Sequence, residues 1–258
     1  MTIHRFYLPE VLVSNNTVSL TGEIAWQIAK VLRLKVGDII GLFDNLQEEY
    51  RIELTSLDKK LVSGKVLSHN KNTNEPNVSI VLYQALLPRE KFEDVLDKAT
   101  EVGVNQFVPL ETQRTLVKAK DIKEEKLQRW KKIVQEAAEQ SERGKMPEVR
   151  QAMLFETAIK KATSEGKVLI AWEREEKVGL SNVIPNLIRD LDSRLRGNDK
   201  LFISLFIGPE GGFSEEEIAF AKENGVIPVS LGKRILRSET AGIVMPSLVL
   251  FEMRELES

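Results

Sequence analysis

The stretch FIGPEGGFSEEE, residues 206–217, joins an apolar run to an acidic helix start through a loop with three glycines. Glycine has no side chain and adopts positive φ readily, so the backbone amides and carbonyls of such a loop can contact a ligand directly. A tight turn is the alternative interpretation of Gly-Pro-Glu-Gly-Gly when it stands alone. Ser214 followed by Glu217 is the pattern of a capping box, which predicts that a helix begins there.

A second loop of the same kind is LGKRILRSETA, residues 231–241, which follows the apolar segment VIPVS. It contains Gly232, and we interpret Ser238 as the N-cap of a helix over ETAGIVMPSLVLF. In open parallel sheets, ligands bind beyond the carboxyl ends of the strands. Two glycine-bearing loops at adjacent strand ends therefore favour a binding site over two unrelated turns. Neither G-x-G-x-x-G nor G-x-x-x-x-G-K-[ST] occurs, which disfavours an ordinary Rossmann cofactor or ATP.

The chain after Asn77 alternates near-continuous apolar segments with amphipathic helical ones, which predicts an α/β domain with a parallel sheet covered on both faces. The predicted strands are VSIVLYQALL, NQFVPLE, KVLIAWE, KLFISLFIG and VIPVSLG. Helices are predicted over REKFEDVLDKATEVG and over residues 123–142. Residues 180–200 separate two strands that could connect more briefly, and we interpret them as a crossover helix or a surface insertion without a chemical role.

The chain before this point has a different pattern. Short β segments at residues 38–44, 48–58 and 60–68 follow one helix within TGEIAWQIAKVLRL, which predicts a small, partly closed barrel with a helix packed on it. The polar segment HNKNTNEPN, residues 69–77, has the composition of a linker. We therefore expect two domains, residues 1–72 and 73–258.

Composition excludes several classes of protein. The 258 residues are 42% hydrophobic and 29% charged, as in ordinary globular proteins. With no cysteine and only His4 and His69, a disulfide framework, a cysteine nucleophile and a histidine metal cluster are all disfavoured. No window approaches the roughly 18 apolar residues of a membrane span, and MTIHRFYLPE lacks the pattern of a signal peptide. We expect a cytoplasmic protein with no membrane partner and no metal.

Charge is unevenly distributed along the chain. The net charge of −2 argues against a protein that simply coats nucleic acid. Residues 113–132, QRTLVKAKDIKEEKLQRWKK, nevertheless hold eight Lys or Arg against three Asp or Glu. This basic stretch fits either a solvated helix face with salt-bridging neighbours or a patch that faces phosphates.

The pair IGPEGGFSEEE and LGKRILRSETA is similar to the C-terminal signature of ribosomal RNA methyltransferases of the RsmE type, which belong to the knotted SPOUT superfamily. The two motifs together are far more specific than either alone. Further segments extend the resemblance over essentially the whole chain: HRFYL (4–8), KVLRLKVGD (30–38), KATEVGVNQFVPLETQRT (98–115) and EAAEQSERGKMPEV (136–149).

The resemblance implies an N-terminal RNA-binding domain like the PUA barrel and a C-terminal α/β domain with a deep trefoil knot. No periodicity would predict a knot, because knots are nearly absent from proteins. It also implies a homodimer, a pocket for S-adenosylmethionine built from the two glycine loops, and methyl transfer to N3 of one uridine in the 16S ribosomal RNA of the small ribosomal subunit.

This chemistry agrees with the residues available, because attack from N3 needs no cysteine nucleophile, whereas methylation of pyrimidine carbon 5 normally does. The ring must lose a proton, align with the sulfonium methyl and have its negative charge stabilised. Arginine suits the last task, and Arg237 is our first candidate, with Arg143 as the other. Glu210 and Glu239 are candidates for a general base, with cofactor or solvent as the alternative proton acceptor.

The family's pocket, carried onto matching positions only, implies a cofactor site formed largely by backbone. Its residues are Ala171, Trp172, Glu173, Ile207, Gly208, Pro209, Gly211, Gly212, Leu231, Gly232, Ile235, Leu236, Ser238 and Thr240. For RNA, the resemblance implies Arg5, Arg33 and Lys35 of the first domain, helped by Arg114 and the basic stretch. Arg33 and Lys35 also fit two ordinary surface charges before a turn.

Two other functions stay open on the sequence. One is a noncatalytic RNA-binding ribosome assembly factor, and the other is a related knotted enzyme that methylates transfer RNA. Intact glycines in both loops favour an enzyme, because a pure RNA binder has no need of bare backbone in both places.

Overall fold

The computed structural model describes residues 3–192 and 201–256. Contacts between Cα atoms divide the chain into two compact units. The first comprises the residues up to Glu75 together with Gln135–Met146, and the second comprises Pro76–Val134 and the chain from Pro147 onward. The expected division into residues 1–72 and 73–258 stays a prediction, and the contacts add a segment from the middle of the chain to the first unit.

The first unit is a six-stranded sheet with one helix. Its elements are β1 (His4–Tyr7), β2 (Val13–Ser14), β3 (Thr17–Thr21), α1 (Gly22–Trp26) continued by a π-helical turn (Gln27–Val31), β4 (Ile39–Phe43), β5 (Glu48–Leu57) and β6 (Leu61–Lys71). The strand order is β1-β4-β5-β6-β3-β2, with β1 parallel to β4 and the other pairs antiparallel.

The core of this unit confirms the predicted helix and the three predicted β segments. Ile40 and Leu42 of β4 and Ile52 of β5 are fully buried, and they form one cluster with Ala25 and Ile28 of the helical segment. The strands β1 to β3 were not predicted. β1 and β2 have only four and two residues, whereas β3, with Val18 and Leu20 buried between exposed neighbours, does alternate and was missed.

The second unit is a parallel sheet with helices. Its elements are β7 (Val78–Ala85), α2 (Arg89–Val102), β8 (Gln106–Glu111), a 3-10 turn (Ala119–Asp121), α3 (Glu124–Gln140), β9 (Glu148–Val149), β10 (Met153–Leu154), α4 (Phe155–Glu165), β11 (Lys167–Ala171), α5 (Leu180–Asp192), β12 (Leu201–Ile207), α6 (Glu215–Glu223), β13 (Ile227–Val229) and α7 (Ser238–Glu252). The last residues of α3 group with the first unit.

The predicted parallel sheet with two covered faces is confirmed. All its pairs are parallel, the order is β10-β8-β7-β12-β11-β13, and β9 pairs with β8. Val81 and Tyr83 of β7 lie in one buried cluster with residues of α4 and α6. Gln84, which points to the opposite face, is hydrogen-bonded to Ser238 of α7, and α7 contacts α2 and α5. Helices therefore cover both faces.

The structure describes the first thirteen residues of the segment 180–200, which we interpreted as a crossover helix or a surface insertion. Its first part forms helix α5, which contacts α7, and Val183 and Ile184 of this helix are buried. The remainder of the predicted segment, residues 193–200, lies outside the described residues.

Candidate functional site

Three parallel strands end side by side at the site. Strand β11 ends at Ala171, β12 at Ile207 and β13 at Val229, and the sheet order places β11 between the other two. The expectation that the two glycine loops follow adjacent strands is therefore wrong. The order of parallel strands is set by how the crossovers pack, and chain order alone does not reveal it. The turn after β11 consequently lies between the loops.

A cavity of about 550 Å³ opens at these strand ends. This volume is within the range of about 300–1,000 Å³ found for small-molecule sites. Every residue predicted for the cofactor, except Thr240, lines it. The cavity also contains residues that were not predicted for the site: Lys91, Phe213, Ser230, Lys233, Arg234 and Ala241.

Gly212 shows why the loop after β12 needs glycine. Its φ is +67°, a conformation that residues with a side chain rarely adopt. A Cβ atom there would lie 2.8 Å from Oε1 of Glu173, which belongs to the turn after β11. The bare backbone therefore lets the two segments approach each other, as the sequence predicted for this loop. The predicted capping box of Ser214 and Glu217 is also confirmed, and it begins helix α6 directly after the loop.

Ser238 connects three elements, and its predicted role as an N-cap is wrong. The N-cap of α7 is Arg237, and no side chain caps this helix end. Ser238 is the first helical residue, and its buried hydroxyl donates to the Gly208 carbonyl and accepts from Nε2 of Gln84 at 3.0 Å. The hydroxyl is engaged by these two partners and therefore does not cap its own helix.

We expect Ser238→Ala to lower the free energy of unfolding by about 1–3 kcal/mol, because it leaves the buried Gln84 amide without this acceptor. Ser247→Ala is the matched control, since Ser247 lies in the same helix and donates only to the Ile243 carbonyl one turn earlier. Urea unfolding measures both variants. Equal losses in the two variants would contradict the bridging role of Ser238.

Charged groups lie at the cavity around Lys91. Its Nζ is 2.8 Å from Oε1 of Glu210 and 3.8 Å from Oε1 of Glu239. The hydrogen bond to Glu210 is the main cause that raises the pKa of Lys91 above its usual value. Arg237 is exposed and lines the cavity, whereas Glu239 does not. Oε2 of Glu239 is buried and has no hydrogen-bond partner among the described residues.

Lys91 is the site residue that sequence analysis missed most clearly. It is 119 positions away from Glu210 in the chain and belongs to the first turn of α2. Its position just after a predicted buried strand could have indicated the site. The carboxyl ends of all strands in a parallel sheet lie at one edge, and the cavity is at that edge. The sequence did not show that β7 and β12 are neighbours in the sheet, which is what brings Lys91 close to Glu210.

Arg143 and Arg5 are engaged inside the first unit. The guanidinium of Arg143 is buried and donates to both carboxylate oxygens of Glu75, with Nη2 to Oε2 at 2.7 Å. Arg5 is 8% exposed; its Nε donates to Oε1 of Glu49 at 3.0 Å and its Nη2 to the Arg143 carbonyl. These bonds attach residues 135–146 to the rest of this unit. Arg143 does not line the cavity.

The other residues predicted for RNA are exposed. Arg33, with φ of 54°, and Lys35 lie in the segment between the π-helical turn and β4. Arg114 follows β8 in the second unit, and its Nη1 donates to the carbonyls of Gly211 and Phe213. The structure therefore connects one predicted RNA-binding residue to the loop that lines the cavity.

The part of the chain that the structure describes offers neither a metal site nor a membrane-spanning helix. No three His, Cys, Asp or Glu side chains in it are grouped so that they could hold a metal ion. No helix within residues 3–192 or 201–256 is both long enough and apolar enough to cross a membrane.

The composition of the cavity indicates what it can bind. Apolar side chains such as Ile207 and Leu236 and exposed backbone groups suit a flat, aromatic ring. The charged residues of the lining are mixed, because Glu173 and Glu210 are acidic whereas Lys91, Lys233, Arg234 and Arg237 are basic. A ligand that combines a heteroaromatic ring with charged groups therefore fits the residues present.

Two family models match the sequence. The model described as RNA methyltransferase domain matches residues 74–250, and the model described as RNA methyltransferase PUA domain matches residues 20–67. The expectation of a PUA-like first domain followed by a methyltransferase domain is thereby confirmed.

Curated relatives that match most of this chain carry one name, ribosomal RNA small subunit methyltransferase E. The protein of Bacillus subtilis (strain 168) is 32% identical over 237 residues, which is 92% of this chain and 90% of the relative. The protein of Synechocystis is 34% identical over 249 residues, or 96% of this chain and 76% of the relative.

Solved structures of the same architecture contain a ligand. A ribosomal RNA small subunit methyltransferase E of Neisseria gonorrhoeae, bound to S-adenosyl methionine, is 32% identical with a TM-score of 0.82, over 97% of this chain and 98% of that one. A methyltransferase of Legionella pneumophila in complex with the same cofactor is 29% identical with a TM-score of 0.78, over 97% and 98% of the two chains.

Proposed function

Because the chain belongs to the ribosomal RNA small subunit methyltransferase E family, we propose that it transfers the methyl group of S-adenosylmethionine to N3 of one uridine in 16S ribosomal RNA. The observation that carries the proposal is the cavity formed by two glycine loops and the turn between them. Similar structures with S-adenosylmethionine bound support this choice of cofactor.

The proposed cofactor site consists of the three segments at the strand ends. Residues 207–212 and 231–238 would hold the adenosine and methionine portions largely through backbone, and residues 171–173 would close the space between them. Thr240, which does not line the cavity, would act only through its neighbours in the first turn of α7. The bound cofactor supplies an electrophilic methyl group on a positively charged sulfur. The carboxylate of Glu173 would favour that charge, whereas Glu210 is already paired with Lys91.

We assign the stabilisation of the uracil anion to Arg237. In the reaction a bond forms between N3 and the methyl carbon, the bond from sulfur to that carbon breaks, and N3 gives up its proton. The exposed Arg237 guanidinium at the cavity can donate to a uracil carbonyl oxygen as the negative charge develops. Arg143, the other candidate, has its guanidinium engaged by Glu75, and this favours Arg237.

Two carboxylates are candidates for the proton acceptor. Oε1 of Glu210 accepts a hydrogen bond from Lys91, which holds that carboxylate at the cavity wall. Glu239 keeps one oxygen without a partner among the described residues, but it would have to turn toward the cavity to act. Solvent or the cofactor are the alternatives.

For the RNA, we propose that the first unit binds phosphates through its exposed cations. Arg33 and Lys35 fall within the segment matched by the PUA model and are exposed, so they are available for such contacts. Arg5 is occupied by Glu49 and by backbone carbonyls, which favours a structural role in the same unit.

We also propose a trefoil knot, a homodimer and a cytoplasmic location, as the family resemblance implies.

Exposed apolar side chains of the second unit support the dimer: Leu248 and Phe251 of α7 are 37% and 59% exposed. Both residues lie in the last two turns of one helix, so they are available to pack against a second copy. Light scattering of the purified protein measures its mass in solution, and a monomer at micromolar concentration would contradict the dimer.

Cofactor binding is expected to stabilise the protein. At a concentration of S-adenosylhomocysteine about 100 times its Kd, the gain in unfolding free energy is about 2.7 kcal/mol, since the ligand binds the folded state only. A thermal melt with and without this ligand measures the gain, with adenosine diphosphate as the control nucleotide. An unchanged melting temperature at millimolar ligand would contradict the proposed cofactor.

The decisive test of the reaction uses purified small ribosomal subunits that lack the modification. Incubation with labelled S-adenosylmethionine and mapping of the label to one uridine N3 would support the proposal. Label only in transfer RNA would indicate the related knotted enzyme, and RNA binding without any methyl transfer would indicate an assembly factor.

A further inference from the structure

Arg114 lies against the loop formed by residues 208–213. Its Nη1 donates to the Gly211 carbonyl at 2.7 Å and to the Phe213 carbonyl at 3.3 Å, so one guanidinium nitrogen holds the carbonyls on both sides of Gly212. The stem of the side chain follows the loop, because a Cβ atom at Gly211 would lie 3.4 Å from Cδ of Arg114.

The residue before Arg114 makes a second connection to the same region. The backbone amide of Gln113 donates to Oε1 of Glu217 at 2.8 Å. The other oxygen of this buried carboxylate accepts from the Ser214 amide at 2.9 Å, as part of the capping box of α6. Residues 113 and 114 therefore hold both the 208–213 loop and the helix start that follows it.

Three other bonds among the described residues hold this loop: the Ser238 hydroxyl donates to the Gly208 carbonyl, Lys91 donates to Glu210, and the Gly212 amide donates to the Pro209 carbonyl. Arg114 adds the side-chain bonds to the carbonyls of Gly211 and Phe213. Gly208, Gly211 and Gly212 offer no side chains, and glycine loses more conformational freedom on ordering than any other residue. A site that binds through backbone groups is effective only if those groups are already in position, because ordering them on binding lowers affinity. Hydrogen bonds from a charged donor to two loop carbonyls supply such ordering.

We propose that Arg114 is a positioning residue for the cofactor, which it affects through the carbonyls of Gly211 and Phe213. The inference rests on the proposed function, since it takes S-adenosylmethionine as the ligand of the cavity. It differs from the expectation that Arg114 contacts RNA, because it predicts an effect on cofactor affinity when no RNA is present.

The test measures binding of S-adenosylhomocysteine to the full-length protein by calorimetry, without RNA. Arg114→Ala is expected to raise the Kd about tenfold or more, because hydrogen bonds from a charged group are lost. Arg114→Lys is expected to restore affinity only in part, since an ammonium on a shorter stem does not reproduce the guanidinium geometry.

Arg129→Ala is the matched control. Arg129 belongs to the same basic stretch and pairs with Glu93 through Nη2, and it does not line the cavity. Its removal deletes the same charge from an exposed helix position, so cofactor affinity is expected to change less than about twofold. An unchanged Kd in Arg114→Ala, or an equal change in both variants, would overturn the proposal.

Two further measurements separate the possible causes. Thermal melts of each variant show whether the protein is folded. If Arg114→Ala does not fold, the Kd of Arg114→Lys is the deciding measurement. An unchanged Kd overturns the inference, and a raised Kd supports it. If the unaltered protein fails to bind S-adenosylhomocysteine, the proposed function fails. If it binds and the Arg114 variants bind equally well, only the positioning role fails.

Discussion

Replacing Gly212 with valine is expected to weaken binding of S-adenosylhomocysteine by roughly a hundredfold or more, which corresponds to a loss of about 2.7 kcal/mol. Two effects act together at this position. A β-branched residue at φ of +67° is a genuine backbone outlier, and its Cβ would lie 2.8 Å from the Glu173 carboxylate oxygen across the loop. Both effects force the 208–213 loop away from the turn that follows β11. Calorimetry measures the loss.

Gly225→Val separates these two effects. Gly225 has a similar φ of +82°, yet a Cβ atom at this position would meet no other atom within 4 Å, and the residue does not line the cavity. This control should lower stability through backbone strain while the Kd stays close to the original value. Both variants should remain folded, as far-UV circular dichroism of the full-length protein would show. Normal binding by Gly212→Val would contradict the assignment of the cavity.

Replacing Arg237 with alanine is expected to lower kcat about 10²- to 10³-fold, the usual range when one group that stabilises developing negative charge is removed. Cofactor affinity should change much less, because the residues assigned to the cofactor act mainly through backbone. Arg237→Lys should recover part of kcat, since an ammonium keeps the charge and loses the fork of donors. Single-turnover rates with unmodified small subunits, measured beside the Kd for S-adenosylhomocysteine, separate catalysis from binding.

Arg254→Ala is a suitable comparison for this experiment. Arg254 is exposed just beyond the other end of the same helix and does not line the cavity. Its loss should leave the rate of methyl transfer within about twofold. If Arg237→Ala retained more than half of the original rate, the uracil anion would have to be stabilised by another group.

The local features of this protein were predictable because short segments determine them. The capping box of Ser214 and Glu217 needs only residues three positions apart, and helix α6 begins there as expected. The parallel sheet followed from apolar strands that alternate with amphipathic helices. The glycines at 208, 211 and 212 indicated a loop in which backbone faces a ligand, and that loop lines the cavity.

Contacts between distant segments were not predictable in this way. Ser238 has the sequence signature of an N-cap, yet its hydroxyl bonds to the Gly208 carbonyl, which the sheet brings within reach. The basic character of Arg114 suggests RNA, and the structure directs its guanidinium to loop carbonyls. The hydrogen bond of Lys91 to Glu210 could not be predicted either, because the two residues are 119 positions apart in the chain.

The two glycine loops, the helices that follow them and the parallel sheet could be predicted from the order of amino acids, since these features depend on local conformational preference and hydrophobic period. The position of β11 between the two loops, and the contacts of Lys91 and Arg114 with the 208–213 loop, depend on the folded domain as a whole. The physical reason is that strand order and crossover packing minimise the free energy of the whole domain, and no single segment carries that information.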